Sequence, residues 1–424
     1  MTGTSTGTNK YTPIIIIGIL FFIFGFVTWA NGTLIPYLKI ACELTTREAV
    51  LVTFAFYISY AVMAFPSSWV LKKTGFKNGM MVGLLVMAVG AFLFIPAAKS
   101  REFGFFLFAL FVIGAGLTLL QAASNPYITI LGPIESAAKR ISIMGICNKT
   151  AGALAPLILG AIVLNDGSAL EAKLATLDAT AKAAELNVLA ARVVPPYIVI
   201  AIVLILLGIF VYFSHLPEVK AEGEDGTEQD SIQNRKSIFN YPYLWLGFIT
   251  LFFYVGVEVM AGDIIQIYGH SIGISIDVAK NFTTYTLIGM LVGYIVGIIT
   301  IPKYISQSAV LKISAILGIV FALGAIFTSG YVSVFFIAIL GLANALVWPA
   351  IWPLAINGLG KYTKTGSALL IVGIAGGAVL PKIWANLGEM PSIGYQHAFW
   401  ILIPCYLFIL FFAIKGHKIG LQKK

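Results

Sequence analysis

The chain has 424 residues, of which 59% are hydrophobic and only 11% charged, and it carries a net charge of +9. A soluble protein has about 25% charged residues, so no soluble fold of this length could hide so much apolar surface; the sequence reads as an all-α, polytopic membrane protein. In such a chain the basic excess sets topology and is no footprint of nucleic-acid binding. The three cysteines, Cys42, Cys147 and Cys405, are odd in number and irregularly spaced, which gives neither a disulfide framework nor a metal motif.

Taken in order, the chain opens on a polar stretch, "MTGTSTGTNKYTP", read as a short cytoplasmic tail. The apolar run that follows is too long for a signal peptide. A span needs about 20 apolar residues, and runs of that kind predict twelve membrane helices, at 12–36, 47–71, 77–98, 104–131, 138–164, 194–215, 241–268, 279–301, 306–328, 331–356, 365–388 and 394–415. Two breaks are polar enough to be loops. Residues 165–196, rich in Ala, Leu, Glu and Lys, suggest a surface helix; residues 217–237, acidic and then basic without apolar periodicity, suggest a flexible linker. The linker divides the chain into an N-terminal bundle (1–216), the connection (217–239) and a C-terminal bundle (240–424). With the N-terminus inside, seventeen lysines and arginines fall on the inner side and eight on the outer, a bias that places both termini in the cytoplasm.

The halves resemble one another. Span four, "GAGLTLLQAASNPYITILGP", and span ten, "ILGLANALVWPAIWPLAINGLG", share a Gly-Leu pair, an Asn, a mid-span Pro and a Leu-Gly exit; spans one and seven share "GFVTWANG" and "GVEVMAG". The fold class is therefore twelve transmembrane helices in two six-helix bundles related by an axis along the membrane normal. A substrate would sit at their interface near the midplane. Pro126, Pro349 and Pro353 predict bent or unwound helices in spans four and ten.

A charge at the membrane centre costs at least about 2.5–3.5 kcal/mol, and four charged residues lie inside the spans: Lys149, Glu258, Asp263 and Lys382. Lys149 is about ten residues from the end of span five, roughly 15 Å deep at 1.5 Å per residue. It is either a fixed positive charge beside a cavity or half of a structural ion pair. Glu258, two thirds of the way across span seven, could carry a proton, coordinate Na⁺ or accept bonds from sugar hydroxyls. Asp263 lies nearer the outer surface, where gating and cavity roles are both open. Lys382 is close enough to the end of span eleven to snorkel.

The uncharged polar set includes Thr28, Trp29, Asn31, Gln121, Asn125, Asn148, Gln266, Asn344, Trp348 and Trp352. Intramembrane amides either tie helices together or line a wet cavity. A sugar offers hydroxyls and an apolar ring face, which amides beside an aromatic platform would match; Asn31 beside Trp29, and Asn344 one turn before Trp348, have that character. Trp69, Trp245 and Trp400 fit the aromatic belt of an ordinary membrane interface.

The loop "SSWVLKKTGFKNG" resembles the signature between helices two and three of the major facilitator superfamily, with Leu71 standing where that signature has an Asp. "FFIFGFVTWANGTLIPYLK", "FAFYISYAVMAFPSSWVLKKTGFKNGM", "GLTLLQAASNPYITILGP" and "GLGKYTKTGSALLIVGIAGGAVLP" resemble segments of one branch, the fucose permease / glucose–galactose transporter family of sugar symporters. Within it the chain is most similar to the glucose/galactose and N-acetylglucosamine members. Fucose permeases use an Asp in helix one and a Glu in helix four for proton coupling and sugar binding; the matching positions here are Gly32 and Gln121, so that mechanism does not carry over.

The resemblance implies a hexose importer of the bacterial inner membrane. It would be a monomer without cofactor or enzymatic activity, working by symport with Na⁺ or H⁺ and by alternating access. Trp29, Asn31, Gln121, Asn125, Asn148, Glu258, Asn344, Trp348 and Trp352 are the expected substrate-binding residues. Glu258 is the expected coupling group, with Lys149 as its counterweight and Asp263 in the same charged set. The alternatives are an uncoupled facilitator, in which Lys149 and Glu258 form only an ion pair, and a fucose-type proton symporter. A membrane-bound enzyme or sensor is disfavoured: no soluble domain, phosphate loop or nucleophile–base pair is present, and His215, His270, His397 and His417 all fall at span ends or loops.

Overall fold

A computed structural model describes residues 12–130, 137–214, 216, 237–301, 303–359 and 362–421. The N-terminal tail and residues 217–236 of the expected linker lie outside the described residues. Among those described, the ordered elements are helices, without a strand. In a bilayer only helices or closed barrels satisfy every backbone group, and a chain this poor in period-two alternation takes the first solution.

Among the described residues, eleven helices are long and apolar enough to cross a membrane, and one of them, Thr46–Ser100, is 55 residues long and holds two spans. Spans two and three both lie in the helix Leu51–Phe92, which turns at Gly75 with φ 74° and ψ 177°, a conformation open to glycine alone. The total is twelve spans. The sequence suggested a loop there; the structure compresses it to a single glycine hinge flanked by Lys72, Lys73 and Lys77, with Lys73 Nζ 3.9 Å above the Trp69 ring.

Four of the described spans are interrupted along their length. Span one breaks at Ala30, between Thr12–Trp29 and Asn31–Ala41; span seven breaks at Asp263, between Pro242–Gly262 and Ile264–Ser271. Span ten breaks between Gly330–Asn344 and Val347–Ile356, and span eleven passes through a 3₁₀ turn at Gly373–Ala375. In span ten the break precedes Pro349, which then occupies the first turn of the new helix, where its missing N–H leaves no gap. Span four, where the sequence also suggested an unwound segment, runs instead as one helix, Phe103–Ile130.

The duplication inferred from faint sequence likeness is explicit in the backbone. Cys42, Glu43 and Leu44 donate to the carbonyls of Leu38, Ile40 and Lys39; in the second half Ile272, Gly273 and Ile274 donate to those of Tyr268, His270 and Gly269. The two turns match at a constant offset in number, down to the left-handed residue in each, Glu43 at φ 54° and Gly273 at φ 92°.

Small residues let the helices approach closely, as membrane packing requires. A methyl on Gly83 would come 2.8 Å from the Gly116 carbonyl, fixing span three on span four, and one on Gly25 would overlap the Asn148 backbone, fixing span one on span five. The outer belt is apolar: Phe108, Val199, Leu206, Phe213, Ile299 and Phe335 are each more than half exposed, as suits lipid and not water.

The expected surface helix in 165–196 is two helices, Gly167–Leu174 and Ala179–Ala191. They cover the end of the molecule opposite the termini. Tyr37 Oη donates to the carbonyls of Leu189 (2.9 Å) and Ala190 (3.0 Å), and Lys182 pairs with Glu43 at 2.7 Å. The same segment reaches the second half: His270 Nε2 lies 3.2 Å from Glu171, the Ser168 amide donates to Asp277 (3.2 Å), and Lys280 Nζ donates to the Leu164 carbonyl (2.6 Å).

Candidate substrate and coupling site

The close approach at Gly25 brings Trp29, one turn further along span one, against span five. Trp29 Nε1 donates to Asn148 Oδ1 (3.3 Å), and Asn148 Nδ2 donates to the Phe21 carbonyl (3.4 Å). Lys149 Nζ sits 4.2 Å from the centre of the Trp29 ring and 2.8 Å from Glu258 Oε1. Spans one, five and seven therefore meet at one ammonium, which ties the first half to the second. Only 8% of the Lys149 side chain and 12% of the Glu258 side chain is exposed. Burying two charges is costly, and mutual attraction with good geometry is what offsets it; the ring face adds about 2 kcal/mol when desolvated. Trp29 itself is 2% exposed, and methyls on Gly152 or Gly262 would overlap its ring. In this conformation it is a packed wedge between spans five and seven.

Five residues beyond Glu258, about 7.5 Å along the helix axis, Asp263 occupies the break in span seven and is wholly buried. Neither of its carboxyl oxygens has a hydrogen-bond partner, nor have Asn31 Nδ2 and Gln266 Oε1. The Gly32 amide and the Tyr57 hydroxyl are donors turned toward this carboxyl, but outside hydrogen-bond geometry. Gln266 Nε2 donates to Thr283 Oγ1 (2.8 Å), which donates in turn to the Gly262 carbonyl. A methyl on Gly32 would fall 2.7 Å from Thr283 Oγ1, 3.2 Å from Gln266 Nε2 and 3.3 Å from Asp263 Oδ1. The glycine that stands where the resemblance implies an acid thus faces an acid supplied by the other half.

The remaining expected residues divide into three groups. Trp348 and Trp352 stack with centroids 5.5 Å apart at 23°, and Tyr254, one turn before Glu258, lies 6.4 Å from Trp348; Trp348 is half-buried and Trp352 buried. This aromatic tier flanks the ion pair. Gln121, half-buried, donates to Tyr60 Oη (2.8 Å), with the buried Asn125 one turn further. Asn344 is fully buried and accepts from Tyr406 Oη (2.8 Å), which ties span ten to span twelve. Lys382 reaches the end of its span, where Nζ donates to the Arg47 carbonyl (3.3 Å). Sequence reasoning missed Tyr57, Tyr60, Thr283 and Tyr406, the neutral hydroxyls that partner these groups. A cavity of about 380 Å³ opens at the end opposite the termini, lined by Lys39, Glu43, Glu171, Lys182 and His270. It is a vestibule and lies away from the Lys149–Glu258 pair.

A twelve-span helical bundle, duplicated and interrupted near its centre around a buried charge pair, defines a multi-pass membrane transporter. The profile of the Major Facilitator Superfamily matches residues 17–381. The chain belongs to that superfamily of transporters. It is 33% identical over 98% of its length to a glucose/galactose transporter of Brucella abortus, covering 97% of that protein. It is 27% identical over 95% of its length to the L-fucose-proton symporter of Escherichia coli, covering 92% of it. The crystal structure of FucP, a transporter of this superfamily in the outward conformation, superposes with a TM-score of 0.77 at 25% identity, over 98% of this chain and 100% of that one.

Proposed function

We propose that the chain imports a hexose of the glucose, galactose or N-acetylglucosamine type across the bacterial inner membrane, by symport with H⁺ or Na⁺ and alternating access to one central site. The observation that carries this reading is the Lys149–Glu258 pair, buried between the halves and flanked by amides and an aromatic tier. A neutral sugar takes hydrogen bonds from Asn148, Gln121 and Asn125 and stacks its apolar face on the tier of Trp348 and Trp352. Asn31, Trp29 and Asn344 shape the walls of the site. Glu258, Lys149 and Asp263 form the charged set through which the cation acts. Names borne by similar proteins, a glucose/galactose transporter and a fucose–proton symporter, support the substrate class and the symport.

The working unit is a monomer whose bundles, residues 1–216 and 240–424, rock about the site on the 217–239 linker. With both termini cytoplasmic, the end covered by residues 167–191 is the outer one. A second reading, an uncoupled facilitator, draws support from the 2.8 Å pair, which already neutralises Glu258.

The deciding experiment is uptake of labelled glucose, galactose, N-acetylglucosamine and fucose into proteoliposomes under an imposed proton or Na⁺ gradient. Accumulation of one of these sugars under one gradient is expected. Equilibration without accumulation under both gradients would leave the facilitator; no uptake of any of them would overturn sugar transport.

A further inference from the structure

We propose that Asp263 is the proton-carrying group of this transporter, and that Gly32 in the opposite half forms the other wall of its site. The inference rests on the symport reading above and assigns the cation to one side chain. Three independent features of the structure converge on it.

The first is the absence of a counter-charge. Asp263 is wholly buried and neither carboxyl oxygen is hydrogen-bonded. The ammonium within reach, that of Lys149, is taken by Glu258 at 2.8 Å. A bare carboxylate in such a place is among the most expensive groups a protein can hold; a single bound proton removes the charge and leaves a hydroxyl that can donate.

The second is where the residue stands. Asp263 interrupts span seven and caps Ile264–Ser271 without bonding its own first turn. Directly across, Ala30 interrupts span one, and Gly32 lies in the first turn of Asn31–Ala41 with its amide aimed at the carboxyl. A backbone wall from one bundle and a carboxyl from the other thus share one narrow space. That enclosure exists while the halves are together and disappears when they part. The residue's two protonation states are therefore weighted differently in the two access states, which is the requirement for coupling.

The third is the fit at Gly32. A single methyl added at Gly32 would crowd Thr283 Oγ1, Gln266 Nε2 and Asp263 Oδ1 at once. The nitrogen groups at this wall, the Gly32 amide and Gln266 Nε2, are donors and cannot ligate a cation. Na⁺ requires a shell of oxygen ligands, whereas a proton needs only the carboxyl oxygen it binds.

The test uses the full chain in proteoliposomes. Wild type accumulates sugar under a proton gradient, and its sugar exchange at zero gradient varies with pH. In Asp263→Asn, gradient-driven accumulation is lost and the pH profile of exchange becomes flat, whatever its absolute rate. Accumulation by Asp263→Asn, or exchange that keeps the wild-type pH profile, overturns the assignment. Should that variant fail to fold, the wild type decides. A hydrophobic carbodiimide, which modifies protonated carboxyls, is expected to label Asp263 in mapped peptides and to spare the ion-paired Glu258. Absence of an adduct on Asp263 at every pH, or accumulation driven by Na⁺ with the proton gradient collapsed, also overturns it. If Asp263→Asn still accumulates sugar while Glu258→Gln does not, symport stands and only this assignment fails. If wild type accumulates sugar under neither gradient, it is the symport reading itself that fails.

Discussion

Lys149 Nζ and Glu258 Oε1 stand 2.8 Å apart, on spans five and seven, with the Trp29 ring beneath the ammonium. The pair is one charge-neutral unit, so removing either member strands the other. Lys149→Met is expected to destabilise the protein by about 3–5 kcal/mol, the usual cost of an orphaned buried charge. The double variant Lys149→Met/Glu258→Gln should regain most of that loss. Thermal unfolding in detergent measures both, and equal melting temperatures for the single and double variants would contradict the prediction.

Trp29 fits between Gly152 and Gly262 with no room for another methyl at either. Gly262→Ala should hold spans one and seven apart and lower uptake by about tenfold, in line with an overpacking cost of about 1–3 kcal/mol. Trp29→Phe, combined with Gly262→Ala, should restore part of the rate by giving back volume. Cysteine accessibility at the end opposite the termini reports the opening directly; unchanged labelling and uptake would refute the wedge.

The half-buried Trp348 supplies the accessible face of the aromatic tier. Replacing it with Ala removes apolar contact worth about 1.5–3 kcal/mol, so the sugar KM should rise at least about tenfold. Asn344→Ala should chiefly lower the melting temperature, because its partner is Tyr406 of the same bundle. A KM unchanged in Trp348→Ala would remove that residue from the site.

At the end opposite the termini, the hydrogen bond that His270 donates to Glu171 holds its imidazole above its ordinary range, against the opposing effects of burial and of Lys39. A raised folded value means that the bond's contribution is fully present below the unfolded value of about 6.5 and is lost as pH rises through the folded one. Both groups are partly solvated, so the effect is within about 1 kcal/mol and falls with salt. Glu171→Gln should remove this acid-side advantage. Melting temperatures of wild type and variant, compared across neutral pH at low salt, check it; parallel curves would speak against the pair.

The membrane spans were legible because lipid demands long apolar runs, and Lys149, Glu258 and Asp263 stood out because charge in such runs is costly. Their partners were not legible. Tyr60 and Tyr406 are ordinary residues of apolar helices, and their bonds to Gln121 and Asn344 cross 61 and 62 residues of chain. Gly32 and Asp263 are separated by most of the molecule, so the facing of glycine and acid exists only after both breaks have formed. Trp29 showed the opposite problem: its neighbours in sequence suggest an open platform, whereas packing by distant glycines buries its ring.

The pair of helices over residues 167–191 and the turn before it belong by sequence to the first half, yet bond to the second through Glu171, Ser168 and Leu164. The second half has no counterpart insertion between its fifth and sixth spans. Two otherwise matching halves thus acquire a latch on one side only. Those three contacts weight one access state against the other, so substitutions among them are expected to retune the transporter's resting orientation while leaving what it recognises untouched.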